Sequence, residues 1–334
     1  MNRASLSRRS FLGLGSLAFL DAWAHPAQAL TPRTPAASAP KRLHEAPSKD
    51  PLKGLKATAA LLVDPQTGEI LFQKNADMEL PPASTTKMLT ALLVLEKTGL
   101  KGDVRIEKGD LLQPTHVPLK AGETVSVKDL VHALLISSAN DAALALARHV
   151  AGSVPAFVDM MNERAKELGC TRTHFVNPNG WPAPGVHTTA VDLLKIFRAA
   201  VEQPALRDIM RMKSYALESK KAVVHNHNRL LGVYPGMEAA KTGWYRNGPS
   251  GGSKDGALHT FAASVIRNGR ELQLIILHSA NKWTDAPLLL NYGFSRKPTP
   301  AQMLAGGGLD AARRPGVAAA EAGQGPTIEA VKPR

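Results

Sequence analysis

The chain is poor in cysteine. Cys170 stands alone among 334 residues, which excludes an intrachain disulfide framework and any multi-cysteine zinc or iron–sulfur site. Aromatic residues make up only 5%, too few for a protein that reads nucleic acid by stacking bases. Long apolar runs are missing as well. The weakly apolar stretch Phe11–Leu20 is shorter than the ~20 residues a bilayer span requires. The eleven histidines form no His-Glu-x-x-His or similar ligand spacing. Acidic side chains are the minority charge: 28 against 41 Lys and Arg, a net +13 that suits an anionic partner or milieu. What is present is ordinary globular material, 44% hydrophobic and 21% charged, so a sizeable core is available and wholesale disorder is excluded.

The first segment reads as an address. Ser7-Arg8-Arg9-Ser10-Phe11-Leu12 is a twin-arginine pattern, a short apolar run follows, and Ala27-Gln28-Ala29 supplies a small-x-small cleavage site. Residues 1–29 are therefore expected to be a twin-arginine signal peptide, with export to the periplasm or an equivalent outer compartment. No cysteine follows the cleavage site, so no lipid anchor is expected there. Residues 30–51, rich in proline, alanine and serine, read as a flexible linker. Residues 297–334, rich in Ala, Gly and Pro without a sustained apolar face, read as a disordered tail. The remaining block, 52–296, is one domain in size.

Within that block, Ala57–Val63 and Glu69–Gln73 flank the turn Asp64-Pro65-Gln66-Thr67-Gly68 and predict a β-hairpin. The stretch from Thr85 to Lys97 predicts a buried helix, with Gly99 placed to cap its end. Val127–Ile136 and Ala142–Val150 predict two more helices around the break Ser137-Ser138-Ala139-Asn140-Asp141, with Asn140 or Asp141 as a cap. Val154–Leu168 and Ala190–Glu202 continue the helical series. Thr260–Ile266 and Glu271–His278 are apolar runs joined through Asn268-Gly269, a strong hairpin signal. Strands at both ends and helices between predict an α+β fold: one antiparallel sheet built from both chain ends, flanked by helices, with an all-helical insertion.

Three motifs carry chemistry. Ser84-Thr85-Thr86-Lys87 places a serine and a lysine one helical turn apart on one face. A serine hydroxyl is a poor nucleophile until a base takes its proton. A lysine serves as that base only when burial or a nearby cation lowers its pKa. The same spacing recurs at Ser38–Lys41, in the linker, and at Ser279–Lys282, after the last strand; only Ser84 opens a buried helix. Ser138-Ala139-Asn140 lies between two helices and offers a hydroxyl for proton relay and an amide for a substrate backbone. Lys241-Thr242-Gly243-Trp244 offers a cation and a hydroxyl for a carboxylate, with a glycine that lets a ligand backbone approach. Its copy at Lys97-Thr98-Gly99 is accounted for by a helix end.

The ordered set resembles the penicillin-binding proteins and serine β-lactamases. More closely, the chain is similar to the low-molecular-mass D-alanyl-D-alanine carboxypeptidases of peptidase family S11. The resemblance rests on Pro82–Lys87, Leu134–Ala143, Phe175–Gly180, Thr188–Leu193, Asn226–Leu231 and Asn291–Phe294, and covers about 52–296. It implies a β-lactamase/transpeptidase-like fold and removal of the terminal D-alanine from peptidoglycan stem pentapeptides through an acyl-enzyme on Ser84. It implies Lys87 as general base, Ser138 as proton relay, and Asn140 on the substrate backbone. Lys241 and Thr242 would hold the terminal carboxylate, Lys241 would depress the pKa of Lys87, and the N–H groups of Ser84 and Trp244 would face the oxyanion. No metal or organic cofactor is implied. The implied partners are stem peptides and, as covalent inhibitors, β-lactams, with neither nucleic acid nor a stable membrane anchor.

Two departures stand out. Tyr245 occupies the position where the family usually has threonine, and residues 246–256 form a longer, glycine-rich connection. Four other readings compete. A β-lactamase of the related class would need a glutamate-bearing loop, which Asn177–Trp181 does not supply. An α/β-hydrolase is suggested by Gly248-Pro249-Ser250-Gly251-Gly252, a pattern that requires a strand before and a helix after it. A D-alanyl-D-alanine endopeptidase shares every motif. A non-catalytic peptidoglycan-binding protein is the fourth, and Tyr245 is what keeps it open.

Overall fold

The computed structural model describes residues 52–111, 117–246 and 257–296. The expected signal peptide, linker and tail, and most of the 246–256 connection, lie outside the described residues. In chain order the elements begin with β1 (Ala57–Val63) and β2 (Ile70–Lys74), followed by a single 3₁₀ turn at Ala83–Thr86 and α1 (Lys87–Thr98). After β3 (Asp103–Arg105) and β4 (Thr124–Ser126) come the helices α2 (Val127–Ile136), α3 (Asn140–Ala151), α4 (Val154–Glu167), α5 (Ala190–Val201) and α6 (Pro204–Arg211). The chain closes with β5 (Ser214–Leu217), β6 (Ala222–His225), β7 (Met237–Arg246), β8 (Ala257–Arg267), β9 (Arg270–Ser279) and α7 (Lys282–Ser295).

Five strands form one antiparallel sheet in the order β2-β1-β9-β8-β7. The first and last parts of the chain thus meet in one sheet, as its hydrophobic patterning predicts. Strand β1 is apolar at nearly every position because both faces of the sheet are covered. Ala59, Leu61 and Val63, with Ile275 and Leu277, face the helical side. Ala60 and Leu62, with Leu272, Leu274 and Ile276, face α7 through its Ala286, Leu289 and Leu290. Full burial of each such leucine or isoleucine is worth roughly 1.5–3 kcal/mol. Gly293 lets α7 lie close: a Cβ there would stand 2.7 Å from Leu62 Cδ2 and 2.8 Å from Leu272 Cδ1.

Helix starts follow local chemistry. Ser126, Ser153 and Thr189 cap α2, α4 and α5 by accepting the N–H groups of Asp129, Ala156 and Asp192. Gly99 ends α1 in the left-handed conformation, φ 59°, with its N–H on Leu95 O.

Three local expectations are corrected. Helix α1 begins at Lys87, after the 3₁₀ turn, instead of at Thr85. Neither Asn140 nor Asp141 caps α3: the cap position is Ala139, without a side-chain bond, and Asn140 is the first helical residue. The block also ends on a helix, α7, whose cap Asn281 accepts the Trp283 N–H. The competing α/β-hydrolase needs a helix after its nucleophile. Ser250 lies outside the described residues, but the next element is β8, an antiparallel strand.

Candidate active site

Ser84 sits in the 3₁₀ turn, ahead of α1. The turn is pinned from both sides: Pro82 O accepts the hydroxyls of Thr85 at 2.5 Å and of Thr260, on β8, at 3.0 Å. Ala83, next to Ser84, has φ 51°, a conformation that costs a non-glycine residue roughly 1–2 kcal/mol. Its carbonyl packs on Gly180, where a Cβ would stand 1.9 Å from Ala83 O. On the other side Gly243 of β7 lies against the turn; a Cβ there would approach Thr260 Oγ1 to 2.2 Å and Ser84 N to 3.0 Å. The glycine of the Lys-Thr-Gly motif therefore lets β7 and the Ser84 turn touch.

Lys87 is completely buried at the start of α1. Its Nζ lies 2.9 Å from Ser84 Oγ, 2.9 Å from Asn140 Oδ1 and 2.5 Å from Asn179 O. Two of these three partners are pure acceptors. A neutral amine can donate to both and still present its lone pair to the serine hydroxyl. Burial, then the nearby Lys241 ammonium, hold Lys87 well below the usual lysine range, against the opposing pull of Asp141. Asn140 thereby has its oxygen occupied by Lys87, which leaves its Nδ2 as donor.

Ser138 ends α2 with φ 63°, in a position where glycine is usual. The N–H groups of Ser137 and Ala139 both reach Ala133 O, at 3.2 Å each. A serine kept in a glycine conformation marks a side chain needed for its hydroxyl. That hydroxyl receives Lys241 Nζ at 3.0 Å. Lys241 is itself buried and also donates to Thr242 O at 2.9 Å. Burial, followed by the charge of Lys282, brings Lys241 down to about 7. The structure thus brings Ser84, Lys87, Ser138, Asn140, Lys241, Thr242 and Gly243 together, with Lys241-Thr242-Gly243 inside β7. Trp244, next along β7, is 54% exposed.

Tyr245 does not project beside the carboxylate-binding positions as its bulk suggests. It is buried with Ala83 and Leu258 against the Ser84 turn, edge-on to His278 at 6.0 Å between ring centroids. Burial pushes its hydroxyl up to about 12.

Two participants escaped the sequence reading. One is the Asn179 carbonyl. A backbone acceptor has no sequence signature, although the Asn-Pro-Asn-Gly turn was visible: Asn177 Oδ1 takes the N–H of Gly180 at 2.7 Å, and Pro178 O takes Thr90 Oγ1 at 2.6 Å. The other is Lys282, set aside as part of the repeat Ser279–Lys282. It is buried, and its Nζ lies 2.9 Å from Gly243 O and 3.4 Å from His259 Nδ1. Burial and the charge of Arg229 bring Lys282 down to about 7. Cys170 and His187 have structural roles: Cys170 Sγ is buried 3.4 Å from Asp192 O, and His187 Nδ1 is 2.8 Å from Gly185 O.

A serine and a buried lysine at hydrogen-bond distance, backed by a second serine–lysine pair and a strand edge, are the groups that acyl transfer through a serine requires when a lysine serves as base. Residues 44–281 match the family model described as D-alanyl-D-alanine carboxypeptidase. The chain belongs to that family. It is 33% identical over 257 residues to the D-alanyl-D-alanine carboxypeptidase DacF of Bacillus subtilis, covering 73% of this chain and 64% of the relative. It therefore spans just under two thirds of that relative's length. Among solved structures, a D-alanyl-D-alanine carboxypeptidase from Mycobacterium tuberculosis H37Rv superposes with a TM-score of 0.66 at 31% identity, over 73% of this chain and 93% of that one. Penicillin-binding protein D2 of Listeria monocytogenes, in its ampicillin-bound form, gives 0.62 at 28% identity, over 72% and 98%. An Escherichia coli protein named D-alanyl-D-alanine endopeptidase is 28% identical over 258 residues, 74% of this chain and 80% of its own length. The transpeptidase-like α+β fold is the one expected.

Proposed function

We propose that this chain is a serine-type D-Ala-D-Ala carboxypeptidase that removes the terminal D-alanine of peptidoglycan stem pentapeptides. The observation that carries the reading is the fully buried Lys87 amine 2.9 Å from Ser84 Oγ. Lys87 takes the Ser84 proton as Oγ attacks the carbonyl between the two D-alanines. The oxyanion forms against the N–H groups of Ser84 and Trp244; loss of one such donor costs ~2.7–4 kcal/mol of transition-state stabilisation. Ser138, held by Lys241, passes the proton to the leaving D-alanine amine. Water then hydrolyses the Ser84 ester. Asn140 Nδ2 donates to the substrate backbone, and Lys241 with Thr242 receives the terminal carboxylate. β-Lactams that mimic this terminus acylate Ser84. The twin-arginine pattern Ser7–Leu12 supports export by that route and action outside the cytoplasm, on cell-wall substrate.

The test is mass spectrometry of purified muropeptides incubated with the protein and with Ser84→Ala. Loss of one D-alanine from pentapeptide monomers, absent with Ser84→Ala, is the expected result. Splitting of cross-linked dimers while pentapeptides persist would instead establish the endopeptidase reading, which the similarity to an endopeptidase keeps in view.

The role of Lys241 has a pH signature. Its cationic form is needed for the carboxylate and is lost as pH rises through about 7. KM for a peptide ending in free D-alanyl-D-alanine should rise above that pH, approaching about tenfold per pH unit. A C-terminally amidated peptide, lacking the carboxylate, should show no such rise. Parallel pH dependence for the two peptides would remove Lys241 from carboxylate binding.

A further inference from the structure

Asp141 is a buried titratable group that the mechanism above leaves unused. It follows Asn140 in the first turn of α3 and has no accessible surface. Its Oδ1 accepts the Ala142 N–H at 2.9 Å, whereas Oδ2, also buried, accepts no hydrogen bond among the described residues. Burying a carboxylate with one oxygen unbonded is costly unless an opposite charge stands near. The residue before it, Asn140, meets Lys87 Nζ at 2.9 Å, which brings Asp141 into the neighbourhood of that amine, and the charges that favour its ionised form are those of Lys87 and of Lys220 from the β5–β6 turn. Lys220 is already engaged, with Nζ 2.5 Å from Glu123 Oε1 and 2.5 Å from Pro118 O. Lys87 has no carboxylate among its hydrogen-bond partners, which are a hydroxyl, an amide oxygen and a backbone carbonyl.

We infer that Asp141 is a positioning residue for the acylation step: its carboxylate is the counter-charge for the ammonium that forms on Lys87 when Ser84 gives up its proton. The inference rests on the serine-peptidase reading. The proton moves from Ser84 Oγ to Lys87 Nζ as the Oγ–carbon bond forms. Asp141 stays ionised and takes no proton itself. Without it, the new ammonium would sit buried with Lys241 nearby and no carboxylate facing it. The same coupling acts in the ground state whenever Lys87 carries its proton. Burial lifts Asp141 to about 6, while the Ala142 N–H and the Lys87 charge pull it the other way.

Asp141→Asn keeps an oxygen for the Ala142 N–H and removes only the charge. Because the carboxylate raises the Lys87 pKa, its loss should move the acid limb of kcat/KM to lower pH, by about half a unit or more. The plateau should fall about tenfold, as the lysine ammonium loses its counter-charge in the transition state. A purely structural Asp141 predicts the opposite pattern: a lower melting temperature with the wild-type pH profile in the surviving fold, and that result would overturn the inference.

A second measurement needs neither substrate nor an Asp141 variant, so it also separates failure of the inference from failure of the peptidase reading. In protein labelled with 13C at aspartate Cγ, one buried carboxyl should ionise near 6. Its midpoint should rise in Lys87→Met, since the charge of protonated Lys87 helps to lower it alongside the backbone N–H groups. An unchanged midpoint overturns the coupling whatever the enzyme turns over.

Discussion

Lys87→Met should leave a folded protein whose acylation by a fluorescent penicillin is slower by about 10²–10⁴-fold, the usual contribution of a general base. Methionine follows the same unbranched path through the buried start of α1 without an amine. The three groups that converge on Nζ, Ser84 Oγ, Asn140 Oδ1 and Asn179 O, then lose their shared partner. Each unsatisfied acceptor costs about 1–3 kcal/mol, offset in part because an amine no longer has to be buried. Melting should therefore drop by several degrees without abolishing the fold. Lys87→Arg separates charge from basicity: a guanidinium stays protonated throughout the accessible pH range, so raising the pH should restore nothing. If Lys87→Met is acylated within tenfold of the wild-type rate, the base is another group.

The second large effect comes from a residue without a side chain. Gly180 has φ +75°, and a Cβ there would meet Ala83 O at 1.9 Å, Ala83 C at 2.4 Å and Thr86 Oγ1 at 2.9 Å. The nearest atoms are backbone and cannot swing aside. Gly180→Ala should displace the Asn177–Trp181 turn from the nucleophile turn, pulling Asn179 O away from Lys87 and Pro178 O away from Thr90. The expected cost is on the order of 3 kcal/mol, a left-handed penalty plus the steric contact. Penicillin acylation per folded molecule should also fall at least tenfold, because a shift of about 1 Å in a positioning group is enough for such a loss. Gly185→Ala is the matched control. It also has positive φ, +87°, but a Cβ would meet only Val176 Cγ1, at 4.0 Å. It should lose stability while keeping its acylation rate. Equal acylation by the two variants would show that the Asn-Pro-Asn-Gly turn does not set the site.

The parts of the fold that were readable in the sequence are those in which local pattern and tertiary position agree. The Asn268-Gly269 turn fixed the β8–β9 hairpin, and Val127–Ile136 appears as a helix with the expected bounds. The 3₁₀ turn at Ala83–Thr86 was not readable. It is set by contacts with Gly180, Gly243 and Thr260, all distant in sequence. Helix α7 was missed although Asn281 caps it, because Ser279–Lys282 reads as an idle repeat and Pro287 interrupts the helical pattern. Ser84, Lys87 and Ser138 were legible because they carry polar side chains at fixed spacing. The Asn179 carbonyl was not, since any residue type supplies one. Lys282 and Asp141 were hidden for a further reason. Their influence on Lys241 and Lys87 passes through low-dielectric interior, and proximity in that interior is a property of the fold.

The pairing of β1 with β9 joins residues as far apart as Ala57 and Ser279. During synthesis the first strand waits for nearly the whole domain to emerge before its second neighbour exists. A two-stranded hairpin alone is marginal in water, so the N-terminal strands stay uncommitted while the intervening helices, with their local contacts, can already gather. Such a high contact order makes sheet closure a late and slow event. It also ties the two chain ends together: a chain cut before Arg270 would strip β1 and β8 of a common partner, and the nucleophile turn would lose the sheet against which Gly243 holds it.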